Sequence, residues 1–337
     1  SPIEMTAAEL RADLENGSAD AADRGHVPPL SEAELDHLMD IFSSPYTFVS
    51  VEPGRQVVLT YDGGPIKMIR TGVNVNRMQS MQIYEKLLGA DTLELAHIDY
   101  SYKQVKPIIS WEQILVEQSL SATIPPLFYG AMPNLGLYSQ PDGPFPNPAE
   151  LLPKGQIAEA RQAHEMSVEQ AVEDMTFVAG AMYESGVDGI NMDTVGAAGD
   201  SDFLAGLKAT EKLKARSPDI CVELGTAGEF VLGMHGELTF DGVRLAGLYP
   251  HQMVKLAEKA GVGIFGPVVN TNTSKSSPWN VARAATFIKE CCKVAEIPVH
   301  ANMGMGVGAI TVTDNPPIDI VSRASKALVE ICGLDGL

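Results

Sequence analysis

From about Thr92 onward the chain alternates short apolar runs with stretches of helical periodicity, and this rhythm constrains the fold more than any other feature. Two parallel strands must be joined by a crossover, usually a helix, so β–α–β–α order predicts a parallel sheet covered by helices. Candidate strands fall at 92–98, 124–129, 188–192, 220–224, 243–248, 262–268 and 297–301, and an eighth begins at Leu334. Ser167 with Gln170, Ser201 with Asp202, Pro250, Ser277-Pro278 and Pro317 mark the starts of intervening helices. This count predicts an α/β chain with a TIM-type (β/α)8 barrel. An open doubly wound sheet is the alternative, because strand order is not written in one sequence.

Ahead of this rhythm, residues 1–85 read as an N-terminal accessory segment, mostly helical, with 86–337 as the barrel domain. Thr6-Ala7-Ala8-Glu9 and Ser31-Glu32-Ala33-Glu34 both carry the capping-box pattern just before apolar periodicity. The Pro-rich stretch 141–153 reads as a long surface loop, a place for a lid or a functional segment.

Charge and composition narrow the partners. A formal net charge of −19 repels phosphate backbones and anionic lipid heads, so nucleic acid and membrane surfaces are expected to be poor partners, whereas protonated amines are attracted. No apolar run reaches the roughly 18 residues of a membrane span. The start, Ser1-Pro2-Ile3-Glu4, shows no basic stretch leading into an apolar one. Cys221, Cys291, Cys292 and Cys332 follow no disulfide or metal spacing and read as reduced thiols, so the expected location is the cytoplasm.

In a barrel, chemistry gathers at the C-terminal ends of the strands, and those ends are polar here. Asp99, Asp193, Glu223, Glu229 and His300 are the candidate catalytic residues. Tyr129, Asn191, Gln252, Asn270 and Asn272 are candidates for substrate binding. Glu223 stands out because a charge on an apolar strand is costly unless it is used or paired. The structural alternatives are a helix cap for Asp193, pairing with Lys103 or Lys106 for Asp99, and a hydrogen-bonded core histidine for His300. Lys275 reads either as a Schiff-base former or as a solvated loop lysine. Gly304, Gly306 and Gly308 alternate after a strand without dinucleotide-fingerprint spacing and suit a close backbone approach to a flat ligand. No pair of His or Cys has metal spacing, so no metal site is expected.

Several of these segments resemble the dimethylamine:corrinoid-protein methyltransferases. The resemblance lies in Ala96-His97-Ile98-Asp99-Tyr100-Ser101, in Pro126-Leu127-Phe128-Tyr129-Gly130-Ala131-Met132-Pro133-Asn134, and in Gly225-Thr226-Ala227-Gly228-Glu229. It continues through Val231-Leu232-Gly233-Met234-His235-Gly236, Asn270-Thr271-Asn272-Thr273-Ser274-Lys275 and Met303-Gly304-Met305-Gly306-Val307-Gly308, and runs from about Thr6 to Leu337. It implies a TIM barrel that passes a methyl group from dimethylamine to the Co(I) corrinoid of a separate partner protein, leaving methylamine. It also implies a homo-oligomer that binds no cofactor of its own. The carboxylates would steady a positively charged nitrogen, and Gly304, Gly306 and Gly308 would let the corrinoid approach.

The family's distinctive residue is pyrrolysine, which follows a segment like Gly333-Leu334-Asp335-Gly336-Leu337, so the resemblance places it just after Leu337. Strand eight is accordingly expected to be cut short, leaving the barrel incomplete at its C-terminus with strands one and seven as exposed edges, so that either a closed barrel is absent or N-terminal or neighbouring-chain segments plug the gap. A chain without pyrrolysine is expected to be inactive in methyl transfer. Other readings of the same residues are a non-catalytic scaffold that binds an amine or the corrinoid protein, a zinc-dependent methyltransferase, and a Schiff-base lyase.

Overall fold

The computed structural model describes residues 4–62, 66–68, 73–75, 79, 82, 92–99, 105–197, 199–233, 236–268, 273, 275–302 and 317–337. Its centre is a six-stranded parallel sheet: β1 (Thr60–Asp62), β2 (Thr92–Asp99), β3 (Leu127–Met132), β4 (Gly189–Val195), β5 (Cys221–Ala227) and β6 (Ile264–Val268), each paired with the next in chain order. Around it lie α1 (Ala7–Gly25), α2 (Glu32–Ser43), α3 (Val105–Ala122), α4 (Ile157–Glu184), α5 (Asp200–Arg216), α6 (Pro250–Ala260), α7 (Ser277–Val294) and α8 (Ile318–Ala327), the last continuing as a π-helical turn to Cys332.

The pairing does not stop at β6. Parallel bridges join Phe265 to Val299, His300 to Gly336, and Gly336 to Val58 just before β1. Backbone hydrogen bonds support them: Asp335 N donates to Val299 O at 3.0 Å, Leu337 N to Val58 O at 2.9 Å, and Thr60 N to Leu337 O at 2.7 Å. The two edges of the sheet are thus linked through segments 299–301 and 335–337. Strand eight is short, as expected, and of the two expected outcomes it is an N-terminal segment, Val58 onward, that pairs with it across the gap. Three residues suffice because a bridge needs only one residue with both neighbours in reach, and Gly336 has no side chain to hold them apart.

Two expectations are corrected. The segment 243–248 is not a sheet strand. Val243–Arg244 forms a small antiparallel hairpin with Thr239–Phe240, between Gly242 and Gly247, whose φ values of +75° and +85° break an extended run. β5 and β6 pair directly, and the additional strand comes instead from Val58 to Asp62, beside β2 and inside the segment read as accessory. Ser167 does not start a helix; it lies buried within α4, which begins ten residues earlier at Ile157.

On β3 to β6, two chemically different faces appear toward the C-terminal ends of the strands. Leu127, Tyr129, Ile190, Met192, Val222, Leu224 and Phe265 point outward and are buried against Val168, Met175, Leu207 and their neighbours on the helices. The alternate positions are small or polar: Gly130, Asn191, Asp193, Glu223, Gly225 and Gly266. Period-two alternation therefore sends the apolar side chains to the helical layer and the polar ones inside the ring.

The N-terminal helices form on the signals the sequence carries. Thr6 with Glu9 and Ser31 with Glu34 make both reciprocal bonds of a capping box, an arrangement typically worth about 1 kcal/mol per cap. α1 and α2 then bury Leu10, Leu14, Leu35 and Leu38 in a second core with Phe287 and Ile288 of α7 and with Val299, Ala301 and Leu334. α1 lies close on α7 because Gly17 has no Cβ; one there would collide with the Trp279 carbonyl. All four cysteines are free thiols. Burial pushes Cys292 up to about 12, with Asp335 adding to the effect.

Candidate active site

β5 carries Glu223 at its third position, facing into the ring and buried. Its register partner on β4 is Asn191. Two residues further along, Gly225 faces the same way, and a Cβ there would lie 3.0 Å from Asp193 Oδ1 and 3.7 Å from Asn191 Oδ1. An amide oxygen and a carboxylate oxygen thus converge over a residue with no side chain. Gly266, the register partner of Gly225, adds none either, so the floor of this hollow is bare backbone. Asn191 is 9% exposed, and its Oδ1 has no hydrogen-bond partner among the described residues. A buried acceptor left unpaired costs free energy that a bound donor would recover.

His300 crosses the ring opposite. Its Nδ1 meets Glu223 Oε1, and its Nε2 meets Thr60 Oγ1 at 2.7 Å. The imidazole reaches from β5 on one side to β1 on the other because Gly336 lies beneath it; a Cβ there would be 3.2 Å from His300 Cδ2. The Thr60 hydroxyl in turn donates to the carbonyl of Leu337 at 2.9 Å. Segments distant in sequence therefore meet in one hydrogen-bonded line, Glu223–His300–Thr60–Leu337.

The remaining expected residues are placed as follows. Asp193 Oδ1 accepts from Thr194 N at 2.7 Å, which fixes the carboxylate at the rim of β4, where Thr194 adopts φ +56°. Glu229 is bound bidentate by Arg283 of α7, and the same guanidinium donates to Asp20 of α1 at 2.7 Å. Burial would raise the Asp20 carboxyl, but the Arg283 hydrogen bond and charge, with Arg24, bring it below its ordinary value. Glu229 is thus a strut between the loop after β5 and the N-terminal helix, rather than a member of the Glu223 line.

Tyr129 points the other way, into the helical core, because it alternates with Gly130 on β3. Gln252 caps its own helix: its Oε1 accepts from Tyr249 N at 3.0 Å. Asp99 ends β2 in register with Met132. Asn270, Asn272, Gly304, Gly306 and Gly308 lie outside the described residues. Lys275 is exposed on its loop.

Thr60 and Arg283 were not singled out by sequence. Thr60 sits in a strand of three residues with no local signal, whereas Arg283 did leave one, a cation within the small-residue run Ala282-Arg283-Ala284-Ala285. Among the described residues no group of His, Cys, Asp and Glu is arranged to hold a metal ion. None of the helices described is long and apolar enough to cross a membrane.

The sequence profile of the family described as dimethylamine methyltransferase (Dimeth_PyL) matches residues 1–337, the whole chain. The chain belongs to this family. Among solved structures it is similar to the homocysteine methyltransferase MmuM of Escherichia coli in its apo form, at 13% identity and a TM-score of 0.44, covering 80% of this chain and 96% of that one. It is also similar to the YdjI aldolase of Escherichia coli K12, at 11% identity and a TM-score of 0.39 over 82% of this chain and 88% of that one. A third is the carboxyl transferase domain of Rhizobium etli pyruvate carboxylase, at 13% identity and a TM-score of 0.43 over 97% and 50%.

Proposed function

We propose that this methyltransferase moves one methyl group of dimethylamine to the Co(I) corrinoid of a separate protein, releasing methylamine, from the interior of a (β/α)8-type barrel. The observation that carries the reading is the buried, unpartnered Oδ1 of Asn191 beside Asp193 and Glu223. A dialkylammonium offers two N–H donors, a positive charge and two small apolar groups, which suits an acceptor flanked by carboxylates over bare glycine backbone. The net charge of −19 favours the same ligand at long range.

An amine is a poor methyl donor while its nitrogen is neutral, because the leaving group is then an amide anion. Carboxylates that hold positive charge on nitrogen lower that barrel-bound barrier electrostatically. Pyrrolysine, which the family resemblance implies, would supply an electrophile for the amine. Leu337 lies beside Thr60 and the His300 line. Gly304, Gly306 and Gly308 belong to the proposal as backbone that a corrinoid can approach. A cytoplasmic homo-oligomer that docks the corrinoid protein completes it.

The test mixes the protein with dimethylamine and Co(I) corrinoid protein and follows methyl-Co(III) absorbance. Methyl-Co(III) with dimethylamine, and none with trimethylamine or methylamine, is the expected result. No methyl-Co(III) from a chain shown to contain pyrrolysine overturns the reading. Asn191→Leu is expected to raise the KM for dimethylamine about tenfold, the cost of losing roughly one hydrogen bond to a charged group.

A further inference from the structure

Gly225 and Gly266 stand opposite each other in β5 and β6, where the pairing of the two strands is unbroken. Glycine weakens a strand interior, and neither residue has the positive φ that would call for it. The reason for glycine therefore lies in what comes close to the backbone. On the β4 side, where the register shifts between Met192 and Val195, two oxygens converge on Gly225. A Cβ added there would lie 3.0 Å from Asp193 Oδ1 and 3.7 Å from Asn191 Oδ1. The Asn191 oxygen is the one that points to a ligand, because the residue is 9% exposed and the atom has no hydrogen-bond partner among the described residues. On the β6 side there is no side chain, and a Cβ at Gly266 would lie 3.1 Å from Gly225 Cα. The hollow is thus polar on one flank and bare on its floor and its other flank.

We propose that the bare backbone of Gly225 seats the methyl group that stays on nitrogen, which makes Gly225 the residue that sets how many methyl groups the site accepts. This rests on the amine reading above and assigns a specificity-determining residue within it. Asn191 Oδ1 and Asp193 Oδ1 take the two N–H donors of dimethylammonium. One methyl rests on Gly225 and Gly266. The other points along the strands toward their C-terminal ends, where a corrinoid can reach it. Trimethylammonium has a single N–H, so it leaves one of the two oxygens facing carbon. Methylammonium satisfies both oxygens but fills only one of the two methyl positions. A methyl in contact with Gly225 Cα lies about 4 Å from it, and a Cβ projecting about 1.5 Å toward that methyl removes the space.

The experiment is calorimetric titration of the full chain, wild type and Gly225→Ala, with the chlorides of methylammonium, dimethylammonium and trimethylammonium. Wild-type protein is expected to bind dimethylammonium about fourfold tighter than methylammonium, the worth of one buried methyl. It is expected to bind dimethylammonium about tenfold tighter than trimethylammonium, the worth of one hydrogen bond to a charged group. Gly225→Ala is expected to weaken dimethylammonium about 30-fold through crowding. Methylammonium can turn its methyl toward the strand ends, so its affinity is expected to fall by no more than about fourfold. In the corrinoid assay, kcat/KM for dimethylamine relative to methylamine is expected to drop about tenfold in the same variant. Equal losses for the two ions in a Gly225→Ala protein with a cooperative melting curve overturn the seat. Trimethylammonium bound by wild-type protein as tightly as dimethylammonium overturns it too, whether or not the variant folds. If no amine binds, and a chain shown to contain pyrrolysine demethylates none, the amine reading itself fails, so the two failures are distinguishable.

Discussion

A methyl group added at Gly336 would lie 3.2 Å from His300 Cδ2 and 3.3 Å from the Val58 carbonyl. One of them must give, and Val58 is held by the bridge across the ring. The imidazole is the softer neighbour, so Gly336→Ala is expected to push it away from Thr60. Misplacing a catalytic group by a fraction of an ångström is enough to cost about tenfold in methyl transfer, and that loss, with a near-normal melting temperature, is the outcome to check by assay and thermal unfolding. Glu223 and His300 were legible in the sequence because ionisable side chains among apolar strand residues demand an explanation. Their mutual contact was not, since Glu223 and His300 are 77 residues apart. Thr60 was invisible for a related reason: its hydroxyl acts only through a partner 240 residues away. Tyr129 and Gln252 looked like binding groups by type. Alternation along β3 turned the first outward, and the cap of α6 consumed the second.

Among the elements, α1 and α2 are tied to the ring by buried cations of α7. Arg283 holds Asp20, and Lys289 Nζ donates to both carboxylate oxygens of Glu34 at 2.9 and 3.1 Å. Burial raises Glu34, but Lys289 and the Ser31 cap outweigh it, and the carboxyl lies below its ordinary value, as Asp20 does. A carboxyl whose folded pKa is depressed contributes stability that is fully present above its unfolded pKa and is lost as pH falls through the folded one. The expected outcome is that α1 and α2 loosen as pH falls below the ordinary values of 3.8 and 4.5. Hydrogen exchange of their amides should accelerate before that of β3 to β5, and Asp20→Asn should move the onset for α1 to higher pH. Uniform acceleration across the protein would contradict it. The caps of these helices were readable because a capping box is local chemistry, spaced within one turn. The run 243–248 misled because its apolar composition suits a strand, while two glycines with positive φ forbid one. β1 was missed because three residues carry too little pattern to register.

At the scale of the whole molecule, the α/β chain with a parallel sheet is found as expected, while one expected strand, 243–248, is replaced in the count by Thr60–Asp62. The exchange has a physical cause: sheet membership is decided by who can reach whose backbone, and Val58 pairs with Gly336 while Val243–Arg244 turns back on Thr239–Phe240. Residues 335–337 bond to Val58 and Thr60 on one side and to 299–301 on the other, so this short segment is where the two edges of the sheet approach each other. Deleting Asp335–Leu337 strands the donors Val58 N, Thr60 N and Ala301 N, which now bond to Asp335 O, Leu337 O and Gly336 O. Each donor left without a partner away from water costs about 1–3 kcal/mol, and the exposed edges invite pairing with other chains. The shortened protein is therefore expected to melt several degrees lower and to elute partly as aggregate on size exclusion. Equal melting temperature and elution for the two forms would mean that the bridges at Gly336 contribute nothing to holding the edges together. His300 provides an internal control. Its ring keeps Glu223 but loses Thr60 if β1 drifts, so its Nε2 signal in nitrogen-15 NMR should change in step with the loss of stability.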